Sequence, residues 1–338
     1  MRVGDLGEFA LIDRLASRLG GYSEDVVVGV GDDVAVLRMN DGHYLLATCD
    51  VQVAGVHFLP DLVTPYQVGR KAAAINLSDI AAMGGTPRHF LVSLVLPKDT
   101  EVAFVDGLYD GLVEECQRFG VDVVGGNVAR DDRVTIDLFL LGKVTPDRLL
   151  LRSGARPGDQ VLVTGRLGDS AAGLNLLLDS ELSVPAADRE MLVARHVMPT
   201  PRLPESAAIA GLGTATAMID LSDGLGGDIG HICDQSQVGV RLWADRLPMS
   251  PAARRVAELT ERAPWRLALE GGEDYELCFT APPEAVEELA VAVERATGTP
   301  VTMVGEVLPA DEGRWLVFED GQEVGLEAGG WDHFNCET

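Results

Sequence analysis

VVGVGDDVAVL, residues 27–37, reads as an apolar run, a Gly-Val-Gly break, two adjacent acids and a second apolar run. A short strand that enters a glycine break and leaves as another strand holds Asp32 and Asp33 at a sheet edge with little side-chain bulk beside them. Such a pair is either a solvated loop tip or a place for a cation. The chain repeats the device: Asp50 ends YLLATCD, Asp79 sits within INLSDIAAMGG, and Asp220 and Asp223 sit within AMIDLSDGLGGD. Each acid is attached to an apolar segment, where an unpaired charge is costly to bury.

Outward from that stretch the pattern alternates. An amphipathic helix is expected over 6–19, then strands over 26–30, 34–37 and 44–49, and an alanine-rich helix over 65–83 closed by Gly84-Gly85. A strand over 90–96, a helix over 102–119 and strands over 121–124 and 134–144 complete a first unit. Between the last two strands GGNVARDD reads equally as a turn or as glycines that let backbone amides approach a phosphate. Pro, Gly and Arg gather over 147–159 in TPDRLLLRSGARPGD, which divides the chain into 1–148 and 149–338. Beyond lie a strand over 160–164, helices over 169–178 and 190–196, and PTPRLPES as a rigid turn. A strand over 217–221 then enters a Ser-capped helix start, SDGLGGDIGHI. A strand over 238–242 and a helix over 250–262 follow, and LALEGGEDYELCFTA runs from glycine loop into strand. A helix over 282–297 and strands over 301–307 and 314–319 complete the pattern. Strands and helices alternating in both halves predict two domains of the α/β class.

Composition narrows the partners. With 53 acidic against 27 basic side chains the formal charge is -26, which disfavours nucleic acid and anionic membrane surfaces. The five cysteines, Cys49, Cys116, Cys233, Cys278 and Cys336, are odd in number and lack C-x-x-C spacing, so neither a zinc site nor a disulfide framework is expected. The N-terminal residues show neither a signal-peptide apolar core nor a membrane span, and a reducing cytoplasm fits. GDSAAG has its glycines one residue too far apart for a nucleophile elbow. Carboxylates spread over both halves, with no H-E-x-x-H, suit hard oxygen-seeking ions, Mg²⁺ above all. Mg²⁺ at that density serves phosphates, and phosphoryl transfer needs positioning and charge neutralisation more than covalent chemistry.

Taken together, GEFALI, GVGDDVAVL, GVHFLPD, NLSDIAAMGG, RSGARPGD, VTGRLGDSAAGL, IDLSDGL, GGEDYELCFT and the terminal GWDHF resemble the thiamine-monophosphate kinase family. That family belongs to the superfamily of aminoimidazole ribonucleotide synthetase and selenophosphate synthetase. GDD and SDGL recur across the superfamily, whereas GVHF, GGEDYEL and GWDHF are particular to the kinase. The resemblance implies ATP-dependent conversion of thiamine monophosphate to thiamine diphosphate, with several Mg²⁺ ions, and a homodimer joined through the N-terminal sheet. Carried over by position, it implies Asp33, Thr48, Cys49, Asp50, Asp79, Asn127, Asp220 and Asp223 as metal ligands. Gly126, Asn127, Arg152 and Ser222 would meet ATP, and His57, Glu273 and Trp331 would form the acceptor pocket. No covalent nucleophile or general base is expected. Two departures stand out: Asn127 replaces the family's usual Asp after GG, and DVQVAGVHF differs from the commoner DTLVEGVHF. The rival readings are a superfamily relative with another substrate and a nucleotide-binding protein that lost turnover through Asn127.

Overall fold

A computed structural model describes residues 2–5, 7–19 and 21–326, which form two mixed sheets with helices packed between and around them. The first half runs α1 (Glu8–Ala16), β1 (Val26–Val28), β2 (Ala35–Arg38), β3 (Tyr44–Val53), α2 (Pro65–Ala82), β4 (Thr86–Leu96), α3 (Val102–Arg118), β5 (Asp122–Arg130) and β6 (Thr135–Val144). The second half begins β7 (Gln160–Thr164), α4 (Asp169–Leu178), α5 (Ala186–Val197), α6 (Leu203–Leu212), β8 (Ala217–Asp220), α7 (Leu225–Ser236) and β9 (Val238–Trp243). It continues α8 (Pro251–Leu259), α9 (Pro264–Glu270), β10 (Leu277–Ala281), α10 (Val286–Thr297), β11 (Val301–Pro309), β12 (Arg314–Val317) and β13 (Glu323–Gly325).

The sheets have the orders β1-β2-β3-β6-β4-β5 and β13-β12-β9-β11-β7-β10-β8. Within them only the pairs β4 with β5 and β9 with β12 run parallel, so alternation along the chain gives an α/β architecture whose strand pairs are mostly antiparallel. Helix α2 organises the first half. Its start is a full capping box: Gln67 N donates to Thr64 Oγ1, Gln67 Oε1 accepts from Thr64 N, and Pro65 occupies the first turn. Its interior is buried on nearly every face because β3, β4 and β6 lie on one side and β8 and α6 on the other. A single apolar cluster therefore runs from Leu46, Phe90 and Leu138 through Leu77 and Ile80 into Met218, Leu277 and Phe279.

Helices α2 and α3 meet at paired glycines. A Cβ on Gly69 would stand 1.9 Å from the Leu108 carbonyl oxygen, and one on Gly111 would stand 1.9 Å from that of Tyr66. Backbone cannot yield there as a side chain could. Gly69→Ala and Gly111→Ala are each expected to cost about 3 kcal/mol, read as a lower midpoint in equilibrium urea unfolding; midpoints equal to the parent's would show that the helices can part without cost.

Several sequence expectations change. GGN is not a turn: Gly125, Gly126 and Asn127 lie inside β5, paired with Leu91, Val92 and Ser93 of β4. The glycine there is demanded by close strand approach, since a Cβ on Gly126 would stand 1.8 Å from Val92 O. In PTPRLPES only the first residues turn; α6 starts at Leu203 with Pro204 in its first turn, where a missing N–H costs nothing. Residues 267–270, the start of the expected glycine loop, instead form the end of helix α9. No helix among the described residues is long and apolar enough to cross a membrane.

Candidate active site

The aspartates of both halves meet where α2 faces β3 and β8. Alternation along β3 turns Thr48 and Asp50 towards α2, while Cys49, on the opposite face, is exposed. The Cys49 side chain is thus turned away from Asp79, and only its backbone remains as a donor on that side. Thr48 Oγ1 donates to Asp79 Oδ2 at 2.6 Å, and Ser78 Oγ donates to Asp220 Oδ2 at 2.6 Å. Adjacent residues of α2 thereby tie the middle of β3 to the end of β8.

The opening stretch closes the cluster from a third side. Arg152 Nε and Nη2 donate to Asp33 Oδ1 at 3.1 and 2.5 Å, and the Arg152 backbone N–H donates to Asp32 Oδ2 at 3.2 Å. Asp32 Oδ1 also accepts from Asp33 N at 3.0 Å, so Asp32 braces the turn while Asp33 takes the guanidinium. Asp33 Oδ2 is buried with no hydrogen-bond partner among the described residues.

The electrostatics record crowding of like charge. Burial, followed by the Asp33 charge, raises Asp220 to about 8 against the opposing Ser78 hydrogen bond. Burial, then Asp137 and Asp33, raises Asp50 to about 6. Burial, then Asp50 and Asp220, carries Asp79 well above the ordinary carboxylate range. Asp33 rises through burial although Arg152 opposes it. Asp79 feels the charges of Asp50, Asp220 and Asp33, and Asp220 those of Asp33 and Asp50, as members of one cluster do.

Among the described residues no three His, Cys, Asp or Glu side chains close around one point as a ready-made metal cage. The donor set is all hard oxygen, and the buried Asp33 Oδ2, without a hydrogen-bond partner among the described residues, could take a hard cation.

The remaining predicted residues divide. Ser222 and Asp223 lie in the loop after β8, where Ser222 O accepts from Glu273 N at 2.7 Å and Asp223 N donates to Asp228 Oδ2 at 3.2 Å. His57 follows β3 and accepts from Val53 N through Nδ1 at 3.0 Å, so its Nε2 carries the proton when the ring is neutral. When protonated it lowers the Glu273 carboxyl, so the two residues expected at the acceptor pocket are neighbours. Gly126 and Asn127 lie on the edge strand β5, and Asn127 is exposed. Trp331 lies outside the described residues.

Sequence reading missed four groups here. Asp228, buried at the start of α7, is pushed well above the usual range by burial, Asp223 and Asp220. Asp274 caps α4 by accepting from Gly168 N at 2.7 Å and Ser170 N at 3.2 Å. Lys71 Nζ stands 2.6 Å from Glu273 Oε1, and His196 Nδ1 stands 3.3 Å from Glu273 Oε2. Asp274 sits in the quoted GGEDYEL and Asp228 in SDGLGGD, so a signal existed for both.

Two mixed sheets joined by one buried helix, with carboxylates and an arginine gathered at the seam, define the class of AIR synthase related proteins. Family models of the N-terminal and C-terminal domains of that class match residues 31–144 and 156–317. The thiamine-monophosphate kinase of Escherichia coli K12 is 40% identical over 97% of this chain and 98% of its own. That of Aquifex aeolicus is 38% identical over 99% of this chain and 100% of its own. Among solved structures, AaThiL complexed with AMPPCP and TMP superposes with a TM-score of 0.85 at 37% identity, covering 98% of this chain and 99% of that one. The chain belongs to the thiamine-monophosphate kinase family.

Proposed function

We propose that the protein transfers the terminal phosphoryl group of ATP to thiamine monophosphate, giving thiamine diphosphate and ADP. The observation that carries this reading is the convergence of Asp33, Asp50, Asp79 and Asp220 with Arg152 at the seam of the two sheets. The kinase relatives and the AMPPCP and TMP complex of AaThiL support the substrates.

In this reading Asp33, Thr48, Asp50, Asp79, Asp220 and Asp223, with Asn127 and the Cys49 backbone beside them, hold several Mg²⁺ ions. Bound there, the ions neutralise the charge that keeps two phosphates apart; two unit charges about 4 Å apart repel by roughly 4 kcal/mol at an effective dielectric near 20. Arg152 turns its planar fork from Asp33 to phosphate oxygens, and Gly126, Asn127 and Ser222 meet the nucleotide. His57, Glu273 and Trp331 receive the acceptor. A phosphate monoester has a second pKa of about 6, so the acceptor oxygen is already nucleophilic near neutrality. Transfer is then direct and in line, and no side chain acts as nucleophile or general base.

We also infer a division into an ATP-binding, dimer-forming part at 1–148 and a part closing the cleft at 149–338. A homodimer is supported by the uncovered face of the first sheet, where Val51, Leu91 and Phe139 are about two-fifths exposed. The chain's net charge and free thiols suit a cytoplasmic enzyme.

The test is to incubate the protein with ATP, Mg²⁺ and thiamine monophosphate, with thiamine as the control acceptor, and identify products by mass. Thiamine diphosphate from the monophosphate alone is expected. A protein that binds ATP and Mg²⁺ yet yields none would overturn the reading. Asn127→Asp adds a charged ligand and is expected to lower KM for ATP roughly tenfold while the parent is already active; a jump from near-zero turnover would instead mark the natural chain as a degenerate nucleotide binder.

A further inference from the structure

Glu273 is gripped from several sides. Lys71, whose side chain is 6% exposed, reaches it from α2 at 2.6 Å, and His196, from α5, stands 3.3 Å from its other oxygen. His196 in turn shares its Nδ1 with Ser170 Oγ at 3.1 Å. The Glu273 backbone is left-handed, with φ +56°, and so is that of Tyr275, with φ +49°. Such backbone costs roughly 1–3 kcal/mol per residue and persists only where the surroundings over-determine it. Here Glu273 N bonds to Ser222 O at 2.7 Å and Tyr275 N to Leu221 O at 2.9 Å, fixing the loop to the end of β8.

Lys71 and Ser78 lie seven positions apart on one face of α2, about 10 Å along its axis. Ser78 holds Asp220 and Lys71 holds Glu273, so one rigid helix spaces the cation cluster from the acceptor carboxylate. A buried ammonium brings no stability that a leucine of similar volume could not match. What it alone supplies is a fixed charge beside a carboxylate that still has three-tenths of its surface open.

We propose that Lys71 is a positioning residue for the acceptor: its ion pair keeps the Glu273 carboxylate oriented and ionised, and the pocket thereby selects an acceptor whose heterocycle carries positive charge or N–H donors. The proposal rests on Glu273 lining the acceptor pocket. The groups facing Glu273 are Lys71 from α2, His196 from α5, His57 from the turn after β3, and the Tyr275 phenol of its own loop. Burial pushes the Glu273 carboxyl up, but Lys71 first, then His196 and His57, bring it below the usual range. Burial and Lys71 lower His196 to about 4, so its charge is absent near neutral pH and Lys71 is the standing charge beside Glu273. Without Lys71 the burial remains and the main opposing charge is gone, so Glu273 would titrate at higher pH. Acceptor affinity would then be weak where Glu273 is protonated and recover as pH rises.

The experiment is steady-state kinetics of the full chain from pH 6 to 8.5 on the parent, Lys71→Met, Lys71→Arg and Glu273→Gln. For Lys71→Met the expected KM for thiamine monophosphate is at least tenfold above the parent's near pH 6.5. It narrows to within threefold at pH 8.5, with KM for ATP moved less than twofold and kcat largely kept. Lys71→Arg, which retains the charge, stays within threefold of the parent throughout. A folded Lys71→Met with the parent's KM, an equal rise in both KM values, or a rise that ignores pH would overturn the proposal. If Lys71→Met fails to melt cooperatively, the doubly neutral Lys71→Met/Glu273→Gln takes its place. It is expected to bind acceptor weakly at every pH, and parental affinity in it would overturn the proposal. A parent that turns over thiamine monophosphate, a Glu273→Gln that raises KM and a silent Lys71→Met would sink this inference alone; a parent that makes no thiamine diphosphate would sink the functional reading with it.

Discussion

Asp79→Asn is expected to lose phosphoryl transfer by roughly 10³-fold or more and yet to melt at a higher temperature than the parent when Mg²⁺ is absent. Both halves of that expectation come from one arrangement. Asp79 stands among Asp50, Asp220 and Asp33, and burial with the first two lifts it well above the carboxylate range. A carboxylate whose folded pKa lies above its unfolded one favours folding most at low pH, and that contribution is lost as pH rises from the unfolded value through the folded one. At neutral pH the acid is therefore a burden on stability. An amide removes the burden and still accepts the Thr48 hydrogen bond. It cannot supply charge to a cation, so the rise in melting temperature that Mg²⁺ should give the parent by binding the folded state is expected to vanish. Thermal unfolding with and without Mg²⁺, beside an activity assay, reads all three effects. An Asp79→Asn enzyme that keeps its rate would remove the case for cations at this seam.

Arg152→Ala should be costly on both counts. The Asp33 side chain is 2% exposed and takes two of the arginine's donors. Stripping the guanidinium leaves that charge buried and unpaired, a loss of about 3 kcal/mol that a urea midpoint would show. The same change removes the planar fork proposed for ATP, so KM for ATP should rise at least tenfold. Arg152→Lys is expected to recover much of the stability and little of the affinity, because an ammonium matches the charge but not the fork. An alanine variant with parental midpoint and KM would leave the arginine without either role.

Much of this was readable from residue order. The alanine-rich run closed by Gly84-Gly85 became α2, and β7 and α4 lie where their patterns place them. The acids were legible because each interrupts an apolar segment, which a chain tolerates only for a reason. What failed were local signals with two meanings. Glycines in GGN admit a turn or a phosphate, and the turn is excluded by the Val92 carbonyl pressing on Gly126 within β5; Pro204 looks like a breaker, yet it opens α6. Cys49 shows the limit of position alone, since a one-residue step along β3 carries a side chain to the other face. Lys71 and His196 were illegible for a different reason: their partner lies far along the chain, and no spacing rule connects α2 or α5 to residue 273.

The apolar cluster that runs through α2 from the first sheet into Met218 and Phe279 has a bearing on ancestry. Surfaces moulded to one another in this way cannot be traded piecemeal between lineages. A recombinant joining the front of one such gene to the back of a distant cousin would have to carry over the facing surfaces of α2, β8 and α6 as a matched set. A chimera that exchanges one half without those matched surfaces is therefore expected to lose cooperative unfolding.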